Sequence, residues 1–114
     1  MKETDIVKEI QVGLAGKGVR LFRNNTGGLF DKAGRFVRFG LVKGGSDLVG
    51  GTPVKITPEM IGRVLFVLTA VEVKRPGKKP TPEQVSFIDM VQSSGGIAFV
   101  AHSLDEAENK MMNI

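Results

Sequence analysis

Residues 63–74, Arg-Val-Leu-Phe-Val-Leu-Thr-Ala-Val-Glu-Val-Lys, carry the strongest strand signal in this chain of 114 residues. Apolar side chains follow one another through residues 64–68 and again at 70–71, without alternating with polar ones. A run of this kind is typical of a strand that is covered on both faces. We therefore predict that residues 63–74 form the central strand of a sheet, which ends in the charged residues Glu72 and Lys74.

The segments on either side of this strand predict further helices and short strands. Clusters of glycine, asparagine and proline separate them, and residues with capping side chains begin the later helices. The predicted elements are a helix at residues 3–15, a strand at 19–23, a hairpin at 29–39 that turns at 31–34, a strand at 47–49 ended by Gly50 and Gly51, a helical turn at 57–59, a helix that opens at 81–84, a strand at 97–101 and a terminal helix that begins with a capping box at 103–106. This order predicts an α/β fold, in which helices flank a central mixed β-sheet.

Length and composition limit the classes of protein to consider. A chain of 114 residues suits one domain, spanning residues 1–114. The absence of cysteine excludes a disulfide scaffold, a thiolate nucleophile and a cysteine zinc site. The single histidine, His102, cannot build a histidine zinc site, and we expect it to be structural. Catalysis would therefore depend on carboxylates, lysine, hydroxyl groups or a hard cation.

The sequence gives no sign of a membrane segment or an export signal. No apolar run reaches the ~18 residues that a membrane-spanning helix needs. Residues 1–10 alternate charged and apolar side chains, and they lack the apolar core of a signal peptide. We therefore expect no membrane partner and a cytoplasmic location.

Charge is distributed unevenly along the chain. Residues 1–79 hold 15 of the 16 basic side chains and seven acidic ones, which gives a net charge of +8. Residues 80–114 hold one basic and five acidic side chains, which gives −4. A basic excess confined to one part of a chain predicts a polyanionic partner, with nucleic acid as the first candidate.

The end of the predicted central strand carries the residues that point to chemistry. Because side chains alternate along a strand, Glu72 and Lys74 lie on one face, where they could simply pair with each other. Asp47, after a Gly-Gly-Ser turn, adds a second carboxylate. Two neighbouring carboxylates repel unless a cation lies between them, and Mg²⁺ takes such oxygen ligands. Together with a lysine and a basic surface, this set is typical of phosphodiester hydrolysis.

These residues also match the signature of a known nuclease family. Asp47 stands about 25 residues before Glu72-Val73-Lys74, which resembles the signature of the PD-(D/E)XK nucleases. The matching surroundings are Glu3, residues 22–27, residues 44–50, residues 71–77, residues 81–87 and residues 95–98. Taken together, they resemble the virus-type replication-repair nuclease (VRR-NUC) domain in its minimal, stand-alone form, over nearly the whole chain.

The resemblance implies a fold and a metal site. The fold is the restriction-endonuclease-like PD-(D/E)XK core, with a central mixed β-sheet flanked by helices. Asp47, Glu72 and the Val73 carbonyl would bind Mg²⁺ or Mn²⁺ as the cofactor. The resemblance also implies a bacterial cell or a phage-infected host as the setting.

The remaining catalytic residues are likewise implied by the resemblance. Lys74 would orient or activate the attacking water. Glu3 matches the acid of the first helix that completes the site, although Asp5 or Glu9 would serve if the register differed. Gln84 matches the glutamine that opens the second helix and reaches back towards Lys74.

Several basic and polar residues are candidates for contact with DNA phosphates. A mobile basic loop that leaves the active-site strand suits phosphate contact without reading of bases. The alternative for each is an ordinary solvated side chain or a polar strand end. The candidates are Arg23, Asn24, Lys43, Arg75, Lys78 and Lys79.

We therefore predict a metal-dependent, structure-specific DNA endonuclease. Stand-alone members of the family resemble Holliday-junction resolvases, which implies a homodimer that cuts four-way junctions. A twofold dimer supplies two opposed sites for the paired nicks that resolution needs. Two alternatives remain open: a nuclease acting on flaps, nicks or duplex DNA, and a non-catalytic basic module that binds nucleic acid.

Overall fold

The computed structural model describes residues 2–113 of the chain. These residues form two compact units, of which the first ends at Thr52 and the second begins at Pro53. The elements are α1 (Glu3–Ala15), β1 (Arg20–Arg23), β2 (Gly27–Phe30), β3 (Phe36–Phe39), β4 (Leu48–Gly51), a 3₁₀ turn (Pro58–Met60), β5 (Thr69–Val73), α2 (Pro82–Ser93), β6 (Ile97–Ala101) and α3 (Leu104–Met112). This is the predicted order of helices and strands. None of these helices has both the length and the apolar character needed to cross a membrane.

The strands of the described residues pair two by two. β1 pairs with β4 and β2 with β3, both antiparallel, whereas β5 and β6 are parallel. The α/β composition is thus confirmed. The single central mixed sheet and the single domain spanning residues 1–114 remain predictions.

In the first unit, α1 packs against the ribbon formed by β1 and β4. Val7 is the buried residue of α1, and Nε2 of Gln11 donates a hydrogen bond of 2.8 Å to the carbonyl oxygen of Leu21. At the end of the ribbon, Arg23 lies opposite Leu48. The helix thereby fixes β1, which in turn positions the start of β4.

The predicted hairpin is confirmed, and its first strand begins two residues earlier than expected. Asp31 closes its turn, because one carboxylate oxygen accepts the backbone N–H of Ala33 and of Arg35 over 2.9 Å. The hydrogen bond from Arg35 N–H is the largest of the effects that lower the pKa of Asp31. In the strands, the rings of Phe36 and Phe39 lie over glycines of β2, where a Cβ atom would collide with them. Glycine in β2 therefore makes room for the aromatic rings.

The prediction that Gly50 and Gly51 end the strand is wrong, because both belong to β4. They lie opposite Leu21 and Arg20. A Cβ atom built on Gly50 would overlap the carbonyl oxygen of Arg20, so a glycine is needed where the two backbones come so close. Two consecutive glycines are typical of a turn, but in this structure Gly50 allows the backbone of β1 to approach that of β4 closely.

The second unit is built on the parallel pair β5 and β6. Parallel strands need a crossover connection, which α2 supplies. Val91 of α2 and two alanines of β6, Ala98 and Ala101, are buried between these elements. Nε2 of Gln92 donates a hydrogen bond of 2.7 Å to the carbonyl oxygen of Ala98, which ties the end of α2 to β6.

The predicted strand at residues 63–74 is shorter in the structure and begins at Thr69. Pairing starts with the N–H of Ile97 donating to the carbonyl oxygen of Leu68 over 2.9 Å. The segment that precedes β6 turns away at Gly95. Residues 63–67 therefore have no neighbouring strand within the described second unit. The expected cover on both faces is also wrong, because Phe66 is fully exposed.

The terminal helix begins with half of the predicted capping box. Oγ of Ser103 accepts the N–H of Glu106 over 3.1 Å, as predicted. The reciprocal bond is displaced by one residue, because Oε2 of Glu106 accepts the N–H of His102 over 2.9 Å. The Glu106 carboxylate therefore links α3 to the end of β6.

Replacement of Gly50 by alanine should destabilise the protein by about 2 kcal/mol, because the overlap with the Arg20 backbone is relieved only by separating β1 from β4. Gly13→Ala is the matched control, since a Cβ atom there meets nothing within 4 Å. In α1 it should instead stabilise by about 0.5–1 kcal/mol. Thermal unfolding followed by circular dichroism measures both changes. A Gly50→Ala midpoint equal to the wild-type value would contradict the close approach of the two strands.

Candidate active site and nucleic-acid interface

The carboxyl end of β5 brings together three of the predicted site residues. Glu72 lies opposite Val100, and the N–H of Lys74 extends the pairing by donating to the carbonyl oxygen of Ala101 over 3.1 Å. Glu72 and Lys74 are half-buried, whereas Val73 between them is 72% exposed. This alternation confirms that the two charged side chains share one face of the strand.

Neither of these charged side chains has a partner among the residues that the structure describes. Within residues 2–113, Glu72 and Lys74 take part in no ion pair and no side-chain hydrogen bond. The structure therefore does not show the mutual ion pair that was the simpler alternative. Half-buried charges without partners lose hydration without compensation, and such groups are typical of sites that bind a ligand.

Glu72 faces a cavity of about 370 Å³. The cavity is lined by Ala70, Val71, Glu72, Glu83, Gln84, Phe87 and Ile88. It lies between the face of β5 and the first turns of α2, so Glu72 and Gln84 contribute to one space. Two of the predicted catalytic residues are thus brought together within the second unit.

Gln84 has a capping role in this structure. Its Oε1 accepts the N–H of Thr81 over 2.8 Å, and its own N–H donates to Oγ1 of Thr81 over 3.2 Å. This reciprocal pair begins α2 and fixes the side chain of Gln84 beside the cavity. Contact between Gln84 and Lys74 remains a prediction.

Asp47 is placed by the first unit at the start of β4. Its carbonyl oxygen accepts the N–H of Asn24 over 2.8 Å, which continues the pairing of β1 with β4. The Asp47 side chain is exposed and, among the described residues, takes part in no hydrogen bond or ion pair. Arg23, one residue before Asn24, is exposed at the same end of β1.

Asn24 supports a loop rather than standing free at the surface. Its Oδ1 accepts the N–H of Leu41 over 3.0 Å, and its Nδ2 donates to the carbonyl oxygen of Ser46 over 3.1 Å. The loop between β3 and β4, which carries Lys43, is therefore held at both ends by one side chain. The predicted phosphate contact of Asn24 remains a prediction.

Glu3 lies exposed in the first turn of α1. Asp5, the nearer alternative for its role, accepts the N–H of Lys2 over 3.3 Å and so helps to begin the helix. The Glu3 carboxylate takes part in no bond among the described residues. Glu3 is therefore the acid in this turn that is available to a ligand.

The donor chemistry of these residues fits a hard divalent cation. Carboxylate and carbonyl oxygens suit Mg²⁺ and Mn²⁺, and the carboxylates of Asp47 and Glu72 have no competing cation among the described residues. The described residues contain no cluster of three or more acidic, histidine or cysteine side chains. A metal held by either carboxylate would therefore complete its shell with water or substrate oxygens.

The basic loop after β5 is anchored to the rest of the second unit. The N–H of Lys78 donates to the carbonyl oxygen of Arg75 over 3.0 Å, and Gly77 between them has a φ of +84° that favours glycine. Nε2 of His102 lies 3.1 Å from the carbonyl oxygen of Lys78. The side chains of Arg75, Lys78 and Lys79 remain exposed on this anchored turn.

His102 has a structural role, as expected from the sequence. Its other nitrogen, Nδ1, lies 3.0 Å from Oε2 of Glu106. A carbonyl and a carboxylate only accept hydrogen bonds, so both ring nitrogens can donate only in the imidazolium form, which this geometry favours. The pKa of His102 is raised above its ordinary value of 6.5. The largest cause is the hydrogen bond to the Lys78 carbonyl, and the next is the hydrogen bond to Glu106. Partial desolvation of the ring and, to a smaller extent, the nearby ammonium of Lys110 oppose this shift.

Glu106 balances the charge of this anchor. The N–H of His102 has the largest effect, followed by the Lys110 ammonium and the His102 ring, and together they lower the pKa of Glu106 to about 2. Nζ of Lys110 lies 3.0 Å from Oε1 of Glu106 and also donates to the carbonyl oxygen of Val100. The Glu106 carboxylate of α3 thus holds the His102 ring, which in turn holds the basic loop at the Lys78 carbonyl.

Two features of the site were not predicted from the sequence. Glu83 lines the same cavity as Glu72, and its position next to Gln84 in the first turn of α2 is a signal that could have found it. The bond from His102 to Lys78 joins residues 24 positions apart through a backbone carbonyl. A bond to a backbone carbonyl cannot be predicted from the pattern of residue types, because every residue has a carbonyl group.

The α/β elements, the charged pair at the end of β5 and the adjoining basic loop define a nuclease-like α/β protein. A family model described as the VRR-NUC domain matches residues 31–105, about two thirds of the chain. The chain therefore belongs to the VRR-NUC family, and it is a nuclease domain of the virus-type replication-repair class with DNA as its substrate. No curated protein and no solved structure gives a significant match.

The family match covers most of the candidate catalytic residues. Asp47, Glu72, Lys74 and Gln84 lie within the matched range, whereas Glu3 lies before it. Nucleases of this family generally depend on divalent metal ions. The oxygen donors described above agree with that requirement.

The anchor of the basic loop should weaken as the pH rises. The pKa of His102 is raised in the folded state, so its stabilising contribution is complete below pH 6.5 and is lost as the pH rises through the raised value. The pKa of Glu106 is depressed, so its contribution is complete above its ordinary 4.5 and is lost only as the pH falls towards about 2. Both groups therefore act fully between about pH 4.5 and 6.5.

Amide hydrogen exchange at Lys78, corrected for the intrinsic effect of pH, tests this expectation. Protection should be highest near pH 6 and should fall above the pKa of His102. The control variant His102→Gln cannot become a cation and should show low protection without this pH dependence. Wild-type protection that stays constant from pH 5 to 9 would contradict the anchor.

Proposed function

We propose that the protein is a metal-dependent, structure-specific DNA endonuclease that resolves four-way junctions as a homodimer. One observation supports this most directly. Glu72 and Lys74 are half-buried on one face of β5, lack protein partners among the described residues, and directly precede an anchored basic loop. The family match over these positions supports the same chemistry.

Asp47, Glu72 and the carbonyl oxygen of Val73 would hold Mg²⁺ or Mn²⁺. When bound, such an ion neutralises charge on the scissile phosphate and lowers the pKa of a bound water. Asp47 belongs to the first compact unit and Glu72 to the second. Because those carboxylates have no cation beside them among the described residues, neither must give up an ion pair when a metal binds.

Lys74 would act on the attacking water and on the phosphate. Its ammonium donates hydrogen bonds only, so it can orient a water molecule or stabilise the negative charge that develops on the non-bridging oxygens. Half-burial strengthens such electrostatic interactions relative to bulk water. Hydrolysis adds the water oxygen to phosphorus and releases one sugar oxygen, which takes up a proton.

Glu3 and Gln84 would complete the site. The Glu3 carboxylate would complete the site through water or a second ion, as expected of the first-helix acid in this family. Gln84 is held in place by the cap of α2, and its Nε2 has no acceptor among the described residues. That amide group is therefore free to donate to Lys74's water or to a phosphate oxygen.

The basic residues would hold the DNA backbone beside the site. Arg75, Lys78 and Lys79 lie on the turn that follows β5, and the anchor at His102 reduces the conformational freedom lost on binding. Arg23, Asn24 and Lys43 would add contacts from the first unit. Contacts of this kind bind by charge and shape, so we expect little dependence on base sequence.

A four-way junction and a homodimer follow from the need for paired nicks. One chain of 114 residues supplies one proposed site, whereas resolution requires two cuts placed symmetrically. A twofold dimer presents two such sites in opposed orientation. We place this activity in the cytoplasm of a bacterial cell or a phage-infected host, where recombining DNA forms such junctions.

Two alternatives make different predictions. A nuclease for flaps, nicks or duplex DNA would cut those substrates at least as fast as a junction. A non-catalytic basic module would bind DNA without needing Asp47 or any metal ion. The absence of a Glu72–Lys74 ion pair favours the catalytic proposal over this second alternative.

Lys74→Ala should reduce cleavage of a labelled four-way junction about 10²–10⁴-fold, because it removes a group that acts on the water and the phosphate. The wild-type protein should make paired nicks with Mg²⁺ or Mn²⁺ and none with EDTA. Lys55→Ala, an exposed lysine elsewhere in the second unit, is the control for loss of one positive charge. Junction binding in EDTA without cutting by either protein would refute the catalytic proposal.

Glu72→Gln should abolish measurable Mn²⁺ binding by the free protein, because it replaces a charged oxygen ligand by a neutral one. Isothermal titration calorimetry with Mn²⁺ measures this without DNA. Glu108→Gln makes the same change at an exposed position of α3 and should leave binding unchanged. Equal Mn²⁺ affinity of the two variants would show that Glu72 is not a ligand.

A further inference from the structure

We infer that the first unit contains a separate site for a backbone phosphate of nucleic acid, formed by Arg38, Lys43 and the loop between β3 and β4. The site is a cavity of about 220 Å³ lined by Thr26, Gly27, Arg38, Phe39, Gly40, Leu41, Val42, Lys43 and Gly44. This inference rests on the proposed function, since it assigns a further contact to the same substrate.

The charges around this cavity favour an anion. Arg38 and Lys43 are the charged residues among those that line it, so no carboxylate of the lining competes for them. The guanidinium of Arg38 lies 5.3 Å from the centre of the Phe36 ring, which limits its freedom. A restrained guanidinium suits a phosphate group, because its fixed N–H groups match the oxygens of the ligand.

The loop also offers backbone donors. Within residues 2–113, the N–H groups of Val42, Lys43 and Gly44 have no hydrogen-bond acceptor. All three residues line the cavity. Consecutive backbone N–H groups without partners, next to two cations, are a recurring arrangement for binding phosphate.

The conformation of the loop is fixed without a ligand. Asn24 holds it through Leu41 and Ser46, and the N–H of Gly45 donates to the carbonyl oxygen of Val42 over 2.9 Å. Gly40 has a φ of +85°, and a Cβ atom there would lie 2.7 Å from Cα of Thr26. A phosphate would therefore find its donors in place, with little loss of conformational freedom on binding.

The shape of the cavity favours a phosphodiester over free phosphate. Phe39, Leu41 and Val42 give it apolar walls and are themselves strongly exposed. Inorganic phosphate would leave these walls in water, whereas the sugars on either side of a backbone phosphate would cover them. The first unit alone, residues 1–52, holds nine basic and five acidic side chains, and its net charge of +4 also favours a polyanion over a single ion.

Binding of fluorescent duplex DNA in EDTA, measured from 50 to 200 mM salt, tests the site independently of cleavage. Arg38→Ala and Lys43→Ala should each reduce the slope of log affinity against log salt by about 0.9, as expected for one lost phosphate contact. The loss of affinity across that range should then be about 3.5-fold smaller than for the wild type. Arg35→Ala, in the same hairpin but paired with Asp31 over 2.9 Å, should leave the slope unchanged.

Nitrogen-15 NMR of the wild-type chain provides a test that no folding defect of a variant can affect. Addition of a dinucleotide should shift the N–H signals of Val42, Lys43 and Gly44, and inorganic phosphate should need a higher concentration. If Arg35→Ala reduced the salt slope as much as Arg38→Ala does, the site would be overturned, because the loss of one positive charge alone would explain the effect of both variants. Absence of these NMR shifts, or tighter binding of inorganic phosphate, would equally overturn it. If cleavage fails while the slopes change as expected, only the catalytic proposal is lost.

Discussion

The parallel pairing of β5 with β6 is the constraint on which the candidate active site depends. Parallel strands require a crossover, so α2 must leave the end of β5 and return to the start of β6. That path brings the first turn of α2, with Gln84, to the edge where Glu72 emerges, and the cavity forms between them. The same path makes the basic loop the connection between β5 and α2. Ligands of α/β proteins commonly bind at the carboxyl ends of strands for this reason.

At the end of β5 the burial pattern is the reverse of the one that stability alone favours. The face that is half-buried carries Glu72 and Lys74, while Val71 and Val73 on the other face are 44% and 72% exposed. A sequence selected for stability alone would place the valines inside and the charges in water. Burial of charges and exposure of valines are expected where a binding site needs partly dehydrated charged groups. Other interactions must then offset the free energy that this arrangement costs. In this unit the buried contacts of Val91, Ala98 and Ala101 provide that compensation.

The sequence predicted the elements whose signals are local and missed those that depend on distant partners. The helix α2 and the hairpin turn are set by contacts within four residues, such as the Thr81–Gln84 cap and the Asp31 turn, and both were predicted. The strand at residues 63–74 was predicted too long. An apolar run shows that a segment can form a buried strand, but it does not show whether a second strand lies beside it. Gly50 was interpreted as a strand breaker because its close neighbour, the Arg20 backbone, is 30 positions away. Non-local packing overrides local preference at both places.

The candidate site shows the same difference between what residue types reveal and what only geometry reveals. Asp47, Glu72 and Lys74 could be named as candidates from the sequence because the chemistry of phosphodiester hydrolysis restricts the residue types, whereas Gln84 was implied by the family resemblance. All four lie within the range of the family match. The supports of the site could not be named, because they use backbone groups: the Lys78 carbonyl bound by His102, and the Leu41 N–H bound by Asn24. Any residue supplies a carbonyl or an N–H, so sequence carries no record of which one is used. The positions most open to prediction are therefore those that would touch the substrate, whereas the positions that hold them in place require a structure.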